Sequence, residues 1–63
     1  MYFVYVKNEY DGDDFESFIE AAAALSYIEE RLDDGVVLER IRLIDGRERS
    51  LKPVTQVTRV EIV

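Results

Sequence analysis

The sequence predicts an α+β domain: an antiparallel or mixed sheet of four to five strands with one helix packed across one face, in the order β-(β)-α-β-β-β. Three observations predict it. Residues 17–35 read SFIEAAAALSYIEERLDDG, with a helical start signal, an apolar stripe and a stop signal. Residues 2–6, 36–44 and 54–63 are rich in β-branched and aromatic side chains, as strands are. The pairs Asp11-Gly12 and Asp45-Gly46 mark hairpin turns.

Tyr2 to Val6 (YFVYV) alternates weakly, which suits a central strand covered on both faces. A two-residue turn at Asp11-Gly12 would return residues 15–17 as a short second strand, with Lys7 opposite Glu16 and Glu9 opposite Asp14. A competing reading starts the helix at Phe15 with Asp14 as its cap. The spacing of Ser17 and Glu20 is that of a capping box and favours the later start, near Phe18. Phe18, Ala21, Leu25, Ile28 and Leu32 then form one apolar stripe flanked by Ala22 and Ala24, and Gly35 supplies the left-handed stop.

In VVLERIRLI, residues 36–44, Val36 and Leu38 share one parity while Ile41 and Leu43 share the other, so a bulge near Glu39 or Arg40 is expected. After Asp45-Gly46 the chain returns antiparallel through Leu51. A three-residue turn is expected to set Arg42 against Glu48, which is better than Arg42 against Arg49. Pro53 marks an edge or a break, and residues 54–63 form the last strand, with Val60 and Ile62 facing one way.

The 63 residues make one domain, residues 1–63, near the lower limit for folding alone. Burial contributes about 95 kcal/mol at roughly 25 cal/mol/Å². Ordering the chain costs about the same at roughly 1.5 kcal/mol per residue. The chain has no cysteine and no histidine, so neither a disulfide nor the usual metal clip adds stability. Self-association is the remaining source of burial, and a homodimer is expected.

The net charge of −6 argues against nucleic-acid and anionic-membrane partners. Ten acids against Lys7 and Arg31 give residues 1–35 a charge of −8, and six bases against four acids give residues 36–63 a charge of +2. The N-terminal apolar run is too short for a signal peptide and no run is long enough to span a membrane, so the cytoplasm is the expected compartment.

Without His or Cys the commonest general base and the strongest nucleophile are missing, and no enzyme, cofactor or metal site is expected. Glu9, Asp11, Asp13 and Glu20 follow a calcium-loop spacing, but Asp14 stands where that loop needs glycine. Arg40, Arg42, Arg47 and Arg49 gather around the Asp45-Gly46 turn and suit internal pairing or recognition of an anionic group on a partner protein. Tyr2, Phe3 and Tyr5 read as core or dimer packing rather than as a base-stacking platform.

One helix cannot cover both faces of a sheet, so the opposite face is expected to be partly apolar and exposed. The function that follows is a non-catalytic protein-interaction module, a small homodimer acting through its uncovered face or an edge strand. Its expected contact residues are Tyr2, Val4 and Val57 on the sheet, with Arg40, Arg42, Arg47 and Arg49. The alternative is an acidic mimic that occupies a basic nucleic-acid-binding surface, using Asp11, Asp13, Asp14, Glu29, Glu30, Asp33 and Asp34.

Overall fold

Residues 1–8, 12–53 and 59–63 are described here from a computed structural model. Strand β1 (Tyr2–Val6) is central, with β2 (Asp14–Phe18) on one side and β3 (Ile41–Ile44) on the other, both antiparallel to it. Its β-branched and aromatic residues fit a strand flanked on both edges.

The register of β1 with β2 is not the one expected from a two-residue turn at Asp11-Gly12. Val6 pairs with Asp14, Tyr5 with Phe15, Val4 with Glu16, Phe3 with Ser17 and Tyr2 with Phe18. Lys7 therefore does not face Glu16, because the local turn preference yields to aromatic pairing across the strands. Phe15 stacks on Phe3 at 5.6 Å between ring centroids and meets Tyr5 edge-on at 6.5 Å.

That same pairing moves the helix start. Ser17 is spent in β2, and α1 spans Ala21–Asp33, later than either expected start. Glu20 takes the N-cap position in an extended conformation, without a side-chain hydrogen bond to the first turn. The capping box is not formed.

The apolar stripe of the helix is as expected from Ala21 to Leu32. Phe18, however, belongs to β2, and Ala24, expected at the flank, lies at the centre of the stripe while Ala22 is exposed. Ala24 and Ile28 are fully buried, with Ala21, Leu25 and Leu32 partly buried on the same side. At the C-terminus the Gly35 N–H donates to the Leu32 carbonyl at 3.0 Å and the Val36 N–H to the Arg31 carbonyl at 3.1 Å. This is a Schellman closure, and Gly35 makes it possible at φ +99°.

The expected bulge between Val36 and Ile44 is a short 3₁₀ turn, Leu38–Arg40, and only Ile41–Ile44 is strand. A 3₁₀ turn resolves the parity conflict by rotating the chain before the strand begins. Residues 45–47 turn the chain back into β4 (Glu48–Arg49), with Gly46 at φ +74°. Leu43 pairs with Arg49 and Ile44 with Glu48, so Arg42 is diagonal to Glu48 rather than opposite it. The two side chains still approach to 3.9 Å.

Beyond Ser50, β5 (Leu51–Pro53) and β6 (Val60–Ile62) form a separate two-stranded antiparallel sheet. Of the last expected strand, Val60–Ile62 is strand and residues 54–58, including Val57, lie outside the described residues. Pro53 ends β5 opposite Val60.

The fold is one helix on a four-stranded antiparallel sheet of order β2-β1-β3-β4, plus the small β5–β6 sheet. The core lies between the helix and one face of the larger sheet. It comprises Val4 and Val6, Ala24 and Ile28, Ile41 and Leu43, and Val60 from the small sheet. Alanine at position 24 lets the helix backbone approach β1 closely, and valine fits a gap that an aromatic ring would overfill.

Candidate protein-interaction face

Opposed residues of an antiparallel sheet share a face, and alternate residues of a strand lie on opposite faces. Val4, Val6, Ile41 and Leu43 point toward α1, so Phe3, Tyr5, Phe15, Arg42 and Ile44 point away from it. Phe15 is 58% exposed, and Phe3, Tyr5 and Ile44 are half-buried. No described element covers these four side chains.

Charged groups rim the apolar patch. The Lys7 N–H donates to the Arg40 carbonyl at 2.9 Å, which prolongs the β1–β3 ladder and brings both residues to one end of the face. Tyr5, Lys7, Glu39, Arg40 and Arg42 line a cleft there of about 270 Å³. The Arg42 guanidinium donates to the Glu39 carbonyl at 2.6 Å and the Ile41 carbonyl at 3.1 Å, and reaches Glu48 at 3.9 Å. The Tyr5 hydroxyl donates to Asp13, which also accepts the Asn8 N–H at 3.2 Å. That hydrogen bond, with smaller contributions from burial and the Asp13 charge, pushes the Tyr5 phenol above its ordinary value.

The expected contact residues are not brought together. Val4 is fully buried beneath α1 and Tyr2 packs against the same core, so both lie on the covered side. Val57 lies outside the described residues. Arg40 and Arg42 border the uncovered face. Arg49 shares the parity of Leu43 and approaches Asp45 at 3.9 Å, while Arg47 is exposed in the turn. The arginines thus divide between two faces and a loop.

The apolar members of the patch, Phe3, Tyr5, Phe15 and Ile44, are not among the expected contact residues. Parity within YFVYV separates Phe3 and Tyr5 from Val4 and Val6, but the sequence does not say which pair the helix covers.

The acids are also dispersed. Glu29 points inward, accepting the Val60 N–H at 3.3 Å and pairing with Arg59 at 3.8 Å. Arg31 bridges Glu30 at 3.6 Å and Asp34 at 3.0 Å. Two acids of the calcium-like spacing, Glu9 and Asp11, lie outside the described residues, and Glu20 stands at the N-cap position of α1. Among the described residues no three acids converge to hold a metal ion, and no helix is long and apolar enough to cross a membrane.

Neither a protein-family model, nor a curated protein, nor a solved structure matches this chain.

Proposed function

We propose that this chain is a non-catalytic protein-interaction module that pairs with a second copy through the uncovered face of its four-stranded sheet. The observation that carries this reading is the stack of exposed Phe15 on half-buried Phe3, continued by Tyr5 and Ile44 on the same face. Charge favours a second copy as the occupant. The chain carries −6, yet on this face Lys7, Arg40 and Arg42 are balanced by Asp13, Glu39 and Glu48. Two copies can therefore meet here without the repulsion that the net charge would otherwise impose. A core as small as this one also gains more from added burial than a large one would.

Strand spacing of about 4.8 Å and a rise of about 3.4 Å per residue limit this face to roughly 330 Å². Standard interfaces bury about 800 Å² per partner, so the association expected of this face is weak and concentration-dependent. Sedimentation equilibrium from ten to several hundred micromolar tests the reading. Dimer formation that weakens at least tenfold in Phe15→Glu, with an unchanged circular dichroism spectrum, supports it. A strict monomer across that range overturns it, as does a dimer indifferent to Phe15→Glu.

A further inference from the structure

We propose that the outer edge of β2 is a strand-addition site for an extended peptide with lysine or arginine at alternate positions. This goes beyond the stacked-face dimer and does not depend on it, because β2 pairs on one side with β1 and no described strand lies on its other side. Its five residues make it the longest edge in either described sheet; β4 has two residues, and β5 and β6 have three each. A row of backbone donors and acceptors along that length is a template for another strand.

The side chains say which strand fits. Asp14 and Glu16 lie on the helix side of β2, opposite Val6 and Val4, and both are exposed. Glu30 belongs to the same neighbourhood: with Asp14 and Glu16 it acts on the Tyr27 phenol, where Arg31 is the opposing charge. The Asn8 amide donates one hydrogen bond to Asp14 at 2.9 Å, which leaves the carboxylate charge in place. On the far side Phe15 is exposed beside Ser17.

An incoming strand therefore meets carboxylates at two alternate positions and an aromatic ring between them. Cations opposite Asp14 and Glu16, with an apolar residue opposite Phe15, satisfy both faces at once. A second copy of β2 is a poor occupant. The register that pairs all five residues sets Glu16 against its own copy and crowds four carboxylates onto one face. The charges that block self-pairing are the ones that select a basic partner.

The probe is the peptide acetyl-Gly-Lys-Val-Lys-Val-Lys-Val-Gly-amide, titrated into the ¹⁵N-labelled chain at concentrations where the chain is monomeric. Two control peptides replace every lysine by glutamate or every valine by proline. The expected result is saturable shifts in the amides of residues 14–18. Affinity should fall at least tenfold in Asp14→Asn/Glu16→Gln, and again at least tenfold when lysine becomes glutamate or valine becomes proline. The two substituted side chains are exposed, and a circular dichroism spectrum confirms that the variant folds. Equal binding of the proline peptide would reduce the interaction to charge alone and overturn strand addition. Shifts confined to Glu30, Asp33 and Asp34, or no shift at all, would also overturn it. These outcomes leave the sedimentation result on the uncovered face untouched.

Discussion

The Glu29 carboxylate accepts the backbone N–H of Val60 at 3.3 Å across 31 residues of chain. It joins the outer part of α1 to β6, the strand that closes the core from the small sheet. The same carboxylate approaches Arg59 at 3.8 Å, but the arginine side chain is 63% exposed. An exposed ion pair contributes little, whereas an unpaired buried N–H costs about 1–3 kcal/mol.

Glu29→Ala is therefore expected to cost about 2 kcal/mol, and Glu29→Gln, which keeps an acceptor oxygen, less than about 1 kcal/mol. Arg59→Ala should cost under about 0.5 kcal/mol. Urea unfolding of the three variants checks the order. A large loss in Arg59→Ala would show that the ion pair, not the hydrogen bond, holds β6.

The two faces of the sheet should respond differently to truncation. Ile28 is fully buried among Val4, Val6, Ala24 and Leu43, so Ile28→Ala leaves a cavity and is expected to cost about 3–4 kcal/mol. In a domain this small that loss takes most of the stability. Phe15→Ala loses the ring contacts with Phe3 and Tyr5 at a solvated position and should cost about 1 kcal/mol. Thermal melts of both variants measure the contrast, and equal losses would mean that Phe15 is structural rather than a contact residue.

Glu20 is a poor N-cap, because its side chain makes no hydrogen bond to the first turn of α1. Glu20→Ser should raise stability by about 1 kcal/mol, or roughly 4–8 °C in melting temperature for a domain of this size. Ser17→Ala, which would be damaging if Ser17 capped the helix, is expected to stay within about 0.5 kcal/mol of the parent. A loss near 1 kcal/mol in Ser17→Ala would instead restore the capping box.

The helix face was legible because Ala21, Leu25, Ile28 and Leu32 repeat at a period that needs no knowledge of neighbours. Its stop was legible too, since Gly35 reports a local backbone requirement. The start was not, because Ser17 and Glu20 satisfy a local pattern while Phe15 and Phe18 draw the same residues into a strand by contacts with Phe3, Tyr5 and Tyr27. The uncovered face was foreseen as a surface but not in its membership. Assigning Tyr2 and Val4 or Phe3 and Tyr5 to it depends on which parity the helix covers, a long-range fact absent from YFVYV. The arginines were grouped by sequence spacing around one turn, whereas pairing of β3 with β4 sends Arg42 and Arg49 to opposite faces.

Alkaline titration offers a last test, centred on Tyr27. Its ring packs against Phe18 at 5.3 Å, with the Arg31 guanidinium 5.3 Å from its centre. Burial pushes its phenol above the ordinary value of 10.0, the Asp14, Glu16 and Glu30 carboxylates push the same way, and Arg31 opposes them. The Tyr5 phenol is raised as well, first by its hydrogen bond to Asp13. Both groups are neutral where the fold is most stable, and both hold their proton more tightly folded than unfolded. Their contribution is therefore complete below the unfolded phenol's ordinary value and is lost as pH rises through the folded values. Tyrosinate absorbance in Tyr5→Phe should retain a late-titrating phenol from Tyr27, and Asp14→Asn/Glu16→Gln should move that phenol to lower pH. If the double variant leaves the Tyr27 midpoint where it was, burial rather than the two carboxylates holds that proton, since exposed charges are screened by solvent.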